Sequence, residues 1–391
     1  MSRRLAAAFA VVSVLGSAIA IWLVAGDSES SGREHPPGRA AAKAEPEPAP
    51  DSERAEPVRF TVSVSGDLLM HQPLLDRALA NGDGGGYDFA PFFRQIAPYV
   101  ADVELGLCHM ETPMGPGPPT TYPIFNTPAA LANSVSRSGW DACSTASNHS
   151  LDGGQAGIDG TVKALKQANL EHTGSFRSER QSGKPTILEV RGTKIGLVAY
   201  TDATNGFAAP HPWSLNEYSA EQPKTGAKAI IADARAAREA GADAVIAQIH
   251  WGDENSQSPN ASQIAVAKKL TDAKVISVVV GQGPHVVQPI ERVNGKFVVF
   301  SEGNLVSNQG SATGLPAATQ DGFVALLHFK AVGDRTTVRR VTYVPTWVRR
   351  DDYAVLPAKA SSDRGYAGEL RRSYERTVDV VGKGNGFGPE L

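Results

Sequence analysis

From residue 58 onward, short apolar runs alternate with stretches of helical periodicity. Residues 60–65 alternate polar and apolar as a half-buried strand does, and they run into Gly66-Asp67. Helical patterns follow at 72–80 and 90–100. The glycine-rich loop 81–86 between them has neither the spacing nor the strand-to-helix setting of a phosphate-binding loop. A second strand over 102–108 leads to His109 and Glu111. A helix is predicted near 129–138, a short strand at 140–143, a helix over 155–167 and a strand at 171–174. Residues 185–190 and 194–200 read as a hairpin turning at 191–193, and 227–240 as an alanine-rich amphipathic helix. The runs 243–249 and 275–280, with a helix at 261–273 between them, are almost wholly apolar, which suits strands buried on both faces. A strand at 296–299, an antiparallel pair at 323–329 and 336–344, a charged helix at 361–377 and a loose tail over 382–391 complete the pattern. It predicts an α/β domain whose second half is more antiparallel.

The first residues read differently. Arg3 and Arg4 precede an uncharged apolar run over 5–26, long enough to span a bilayer. Small residues at 17–20 offer a cleavage site, but the apolar run continues past it. An uncleaved signal anchor is therefore favoured over a cleaved signal peptide. No cysteine follows, which excludes a lipoprotein anchor. Residues 27–57, rich in Pro, Ala and Glu, lack the apolar side chains to fold and read as a semi-extended linker. The organisation expected is residues 1–26 as signal anchor or signal peptide, 27–57 as linker, 58–357 as the α/β domain, and 358–391 as a C-terminal helix and tail. The domain is then extracytoplasmic, held at the membrane as a single-pass protein or secreted if the signal is cleaved.

Composition narrows the chemistry. A net charge of -3 argues against nucleic acid as a partner. Two cysteines, Cys108 and Cys143, exclude a disulfide scaffold and a thiolate zinc site. If their strands are neighbours they form one disulfide in an oxidising compartment; otherwise they are two small buried apolar residues. The chemistry-bearing residues gather instead at strand ends: Asp67, Glu111, the pair Asn148-His149, His250 and His285. Open α/β sheets place their sites there. Oxygen and imidazole donors without thiolate suit Zn, Mn, Fe or Mg, and the mixture is that of hydrolytic two-metal sites.

The ordered motifs Gly66-Asp67-Leu68-Leu69-Met70, Met110-Glu111-Thr112-Pro113, Ser147-Asn148-His149-Ser150-Leu151-Asp152, His250-Trp251-Gly252-Asp253-Glu254, Gly281-Gln282-Gly283-Pro284-His285-Val286-Val287-Gln288 and Glu302-Gly303-Asn304 resemble the CapA family of poly-γ-glutamate capsule biosynthesis proteins, related to the calcineurin-like metallophosphatases. The resemblance covers nearly all of residues 58–345. It implies a four-layer α-β-β-α sandwich of the metallophosphatase type, and one or two divalent ions. The ligands would be Asp67, Glu111, Asn148, His250 and His285, with His149 as acid or transition-state donor. For Asp152 it leaves two roles, capping the following helix, which its position favours, or orienting His149. Family members commonly carry a histidine at the position of Gly283, so one metal position lacks a donor unless water, His71 or His109 replaces it. Asn205, Glu302 and Asn304 are further candidates as substitute donors or supports of the ligands. Two functions of different class follow: a metal-dependent hydrolase or transferase acting on a phosphoester or an anionic polymer, and a non-catalytic component that binds or exports the polymer beside membrane synthetase subunits.

Overall fold

The computed structural model describes residues 56–384 and 386–390. The predicted membrane segment and nearly all of the linker lie outside the described residues. Among those described, no helix is long and apolar enough to cross a membrane.

In chain order the strands are β1 (Val58–Leu68), β2 (Leu105–His109), β3 (Ala142–Ser144), β4 (Glu171–Thr173), β5 (Thr186–Val190), β6 (Thr193–Thr201), β7 (Ala244–His250), β8 (Val278–Gln282), β9 (Ile290–Val293), β10 (Lys296–Val299), β11 (Asn304–Val306), β12 (Asp321–Val332), β13 (Arg335–Val348), β14 (Val355–Pro357) and β15 (Phe387–Pro389). The α-helices are α1 (Gln72–Asn81), α2 (Ala90–Phe93), α3 (Pro98–Ala101), α4 (Ala130–Arg137), α5 (Gly154–Gln167), α6 (Glu179–Ser182), α7 (Pro223–Glu239), α8 (Ala261–Asp272) and α9 (Ala367–Val381).

The strands form two mixed sheets. The first runs β14-β13-β12-β1-β2-β3-β4, with β11 beside β1 and β15 beside β13; the second runs β5-β6-β7-β8-β10-β9. Alternate residues of β1 (Phe60, Val62, Val64) pack with Leu197, Ile246 and Val280 of the second sheet in a core between the sheets. The outer face of the first sheet is covered by α1, α2, α4 and α5, through residues such as Leu74, Phe93, Leu131 and Leu165. The outer face of the second is covered by α7 and α8, through Ile230, Ala234, Val266 and Leu270. β7 and β8 are buried throughout, and apolar up to their carboxyl-terminal polar residues, because both of their faces are covered.

Three expectations are corrected. The helix predicted over 90–100 is two single turns, α2 and α3. Pro98 has no N–H to continue a helix from above and instead opens the second turn. The tail is not loose: β15 pairs in parallel with β13. Strand β9 was not anticipated, although it turns into β10 through Asn294-Gly295, whose φ values of +51° and +78° suit the tightest hairpin loop.

Cys108 and Cys143 are register partners on the parallel strands β2 and β3, and they form a disulfide with a Cα separation of 4.4 Å. The crosslink closes a loop of sequence separation 35, worth about 4 kcal/mol in the chain-entropy model and typically about 2–4 when measured. Replacing both cysteines with alanine is expected to lower Tm by several degrees in a calorimetric melt. Reductant added to the folded protein is expected to do nothing, because both side chains are buried. An unchanged Tm in the double variant would show that the pairing is energetically idle.

Candidate metal centre

The candidate residues converge where the carboxyl edges of the two sheets meet. Asp67 lies near the end of β1, in register with His109 of β2 on one side and Asn304 of β11 on the other. Gly66, just before it, permits this closeness: a Cβ there would lie 1.9 Å from the Gly303 carbonyl oxygen, the acceptor for the Asp67 N–H. His250 ends β7 and His285 follows β8, so the second sheet delivers two imidazoles to the carboxylates of the first. His285 has φ +59°, a left-handed conformation that costs a non-glycine residue energy and is concentrated at functional sites.

Two donor groups result, Asp67 with His109 and His250, and Asp67 with Glu111 and His285. Within each group the donor atoms lie within 4.8 Å of one another, and every member is buried. His109 Nε2 is 3.0 Å from His250 Nδ1 and 3.8 Å from Asp67 Oδ1. Ser144 Oγ is 2.8 Å from His109 Nδ1 and donates to the Cys108 carbonyl. It therefore accepts from Nδ1–H, and this network assigns the Nε2 lone pair to the centre. His285 Nδ1 lies 3.1 Å from both Asp67 Oδ2 and Asn304 Oδ1, and its Nε2 lies 3.7 Å from Glu111 Oε1.

The charges are strongly perturbed. Burial pushes the His109 pKa down to about 4 and that of His250 well below the ordinary range, which keeps both imidazoles neutral and available as donors. Burial also opposes protonation of His285, but Glu111 and Asp67 outweigh it and raise its pKa to about 10. The Glu111 pKa is pushed well above the carboxylate range, by burial first and by Asp67 in addition, with His285 opposing.

Whether these residues suit a cation is decided by their unpaired atoms. Asp67 Oδ1, both Glu111 carboxylate oxygens and Asn148 Oδ1 are buried without a hydrogen-bond partner. Leaving such atoms orphaned is costly, and a divalent ion at the donor groups would satisfy those of Asp67 and Glu111. The set of carboxylates, an amide oxygen and imidazoles suits a divalent metal. His109 supplies a donor to the group that contains His250, on the side where Gly283 has none. Gly283 has φ +108°, and a Cβ on it would stand 3.1 Å from the His250 ring.

His149 stands beside this centre, on the loop between β3 and α5. Its Nδ1 is 2.8 Å from Asp152 Oδ2, and the same oxygen accepts from the Phe125 N–H at 2.7 Å. Asp152 does not cap α5, whose N-cap is Gly153 without a side-chain bond; its carboxylate is committed to orienting His149. Phe125 packs edge-on against the imidazole, with ring centroids 4.6 Å apart. Asn205, on the loop after β6, reaches both Asn148 and His149 at 3.4 Å. His71 belongs to neither donor group; it contacts Phe125 and accepts from the Asn308 N–H. Glu302 accepts from Gln282 Nε2 at 2.9 Å, and burial raises its pKa well above the carboxylate range.

The structure thus brings Asp67, Glu111, His250, His285 and His109 into one cluster, with Asn304 behind His285. Sequence reasoning missed Ser144, Gln282 and Phe125. Nothing local marks Ser144 or Phe125, and Gln282, although it lies in one of the family motifs, acquires its role only through its contact with Glu302 across the fold.

Two packed sheets with carboxylate and imidazole donors at their shared carboxyl edge define an α/β protein built around a candidate metal centre. The family model for the bacterial capsule synthesis protein PGA_cap matches residues 61–309, and the chain belongs to this family. It is 27% identical over 261 residues to the capsule biosynthesis protein CapA of Bacillus anthracis, covering 64% of this chain and 61% of that one. It is 31% identical over 191 residues to the PGA biosynthesis protein CapA of Bacillus subtilis, covering 48% and 47%. The match therefore spans between about half and three fifths of the length of these relatives. The crystal structure of the calcineurin-like phosphoesterase YfkN from Bacillus subtilis superposes with a TM-score of 0.45 at 15% identity, covering 83% of this chain and 99% of that one.

Proposed function

We propose that this chain is a CapA-like protein of poly-γ-glutamate capsule or cell-envelope polymer synthesis, with a metal-dependent hydrolase-type site in a metallophosphatase-type sandwich. The observation that carries the reading is the pair of buried donor groups sharing Asp67, with their unpaired oxygens. Asp67, Glu111, His109, His250 and His285 would hold a divalent ion, which would supply Lewis acidity toward a phosphoryl or carbonyl oxygen. The chain's own residues do the rest. Asp152 fixes His149 through Nδ1, so Nε2 is the atom that gives or takes a proton at the substrate. Phe125 covers one side of that imidazole against water, and Asn205 steadies the loop. The substrate is an anionic polymer or a phosphoester. The domain works outside the cytoplasm, tethered by the N-terminal segment or released from it. A second reading, a polymer-binding or export component beside a membrane synthetase, is favoured by the cationic groove described below.

The test uses the full chain purified in detergent, stripped of metal and reloaded with Mn²⁺ or Zn²⁺. It is incubated separately with poly-γ-glutamate and with an aryl phosphoester. Metal-dependent shortening of the polymer, or release of the aryl alcohol, is the expected result. Stoichiometric metal binding with neither substrate turned over would move the protein to the second reading.

A further inference from the structure

A groove of about 550 Å³ lies at the other end of the sandwich, by the amino ends of β8 and β10 and the start of β13. Among the described residues its lining includes Arg238, Lys274, Arg292, Lys296, Arg335 and Arg339, and no carboxylate. In a chain of net charge -3 this is a marked local excess of positive charge. Arg339 is aimed there by a β-bulge: His328 pairs with Arg340 and Phe329 with Val338, leaving Arg339 as the extra residue. Arg335 and Arg339 are exposed, as is Lys274. The two half-buried cations, Arg238 and Lys296, donate to neutral groups. Arg238 donates to the Val275 and Ala242 carbonyls and to Ser277 Oγ, and Lys296 donates to the Ala273 carbonyl. Arg292 lies over the Phe297 ring, 3.9 Å from its centroid. Burial, and after it the charge of Arg238, lowers the Lys296 pKa, with Asp272 opposing only in part. Like charges are therefore held together in a concave, partly desolvated setting, where an anion is bound more strongly than on open surface.

We propose that this groove is a second binding site, separate from the metal centre, for an extended polyanion with repeating carboxylates. The choice of a carboxylate polymer rests on the function proposed above; the anion-binding character of the groove does not. A concave channel lined by cations fits a strand of polymer better than it fits the flat surface of a membrane. Along β8 and β1 it lies one strand length from the metal centre, roughly 17–30 Å at 3.3 Å per residue. A polymer held in the groove is thus anchored away from the chemistry. That arrangement lets a long chain be retained while another part of it is processed or passed on.

The test measures binding of fluorescently labelled poly-γ-glutamate to the full chain in detergent, at low and at high salt. The expected result is binding that weakens steeply with salt and falls about tenfold or more in the double variant Arg335→Glu/Arg339→Glu. Lys274→Glu should weaken it further, while metal content and Tm stay at the wild-type level. Reversal of an exposed arginine elsewhere, Arg94→Glu, controls for net charge and should leave binding nearly unchanged. Asp67→Ala should keep polymer binding even if it loses metal and activity, which separates failure of the groove from failure of the hydrolase reading. Unchanged affinity in the double variant would overturn the proposal. Binding of inorganic polyphosphate but not of poly-γ-glutamate would overturn the choice of carboxylates. Binding to phosphatidylglycerol vesicles without binding to polymer would make the groove a membrane contact instead.

Discussion

Asp67→Ala is expected to empty the whole metal centre, not half of it. Asp67 is fully buried and is the member common to both donor groups. Its Oδ2 faces His285 Nδ1 at 3.1 Å and its Oδ1 faces His109 Nε2 at 3.8 Å. Removing this carboxylate deprives both positions of their shared anionic donor and leaves the His109–His250 pair without its counter-charge. Each of two other substitutions removes a donor from one group alone: His109→Ala from the group with His250, and Glu111→Ala from the group with His285. Elemental analysis of metal-replete samples should therefore give two equivalents in the wild type, about one in each of those variants and close to none in Asp67→Ala. Two equivalents retained in His109→Ala would remove His109 from the ligands, and one equivalent surviving in Asp67→Ala would show that the groups do not depend on a shared oxygen. Activity should disappear with the metal.

His149→Ala should produce the opposite combination, full metal content with little turnover. The imidazole is in neither donor group, yet it is fixed beside them by Asp152 at 2.8 Å and by the Phe125 ring. Loss of a positioned proton donor typically costs about a hundred- to ten-thousand-fold in rate. Asp152→Asn should fall between this variant and the wild type, because the amide keeps the size of the carboxylate but holds the imidazole less firmly. The comparison is kcat against KM: a group that transfers a proton in the reaction lowers kcat, whereas a group that only shapes the loop changes both. A His149→Ala protein with wild-type kcat would end the role given to this residue.

Much of this arrangement could be read from the chain because each strand-end residue follows an apolar run. Asp67, Glu111, His250 and His285 stand out for that reason, and the fold brings all four together. His109 was legible only as a substitute, since its partner His250 lies 141 residues away. No local pattern reports a contact of that range. Asp152 was read first as a cap because its position before a helix suggests one, but the carboxylate turns instead to His149 and the Phe125 N–H. The three-residue strand β11, which places Asn304 beside Asp67, is too short to carry a periodicity of its own. The Asn294-Gly295 turn, by contrast, is present in the sequence, but the four-residue strand before it is too short to show an alternation of its own.

The Cys108–Cys143 bond sits immediately before His109 and Ser144, which hydrogen-bond to each other at 2.8 Å. One covalent link therefore fastens the two loops that carry His109, Glu111 and Asn148. In a reducing cytosol these strands would be held together only by their backbone ladder. On the extracytoplasmic placement proposed above, this bond would close only after export, so the two segments would be fastened by delivery rather than by synthesis.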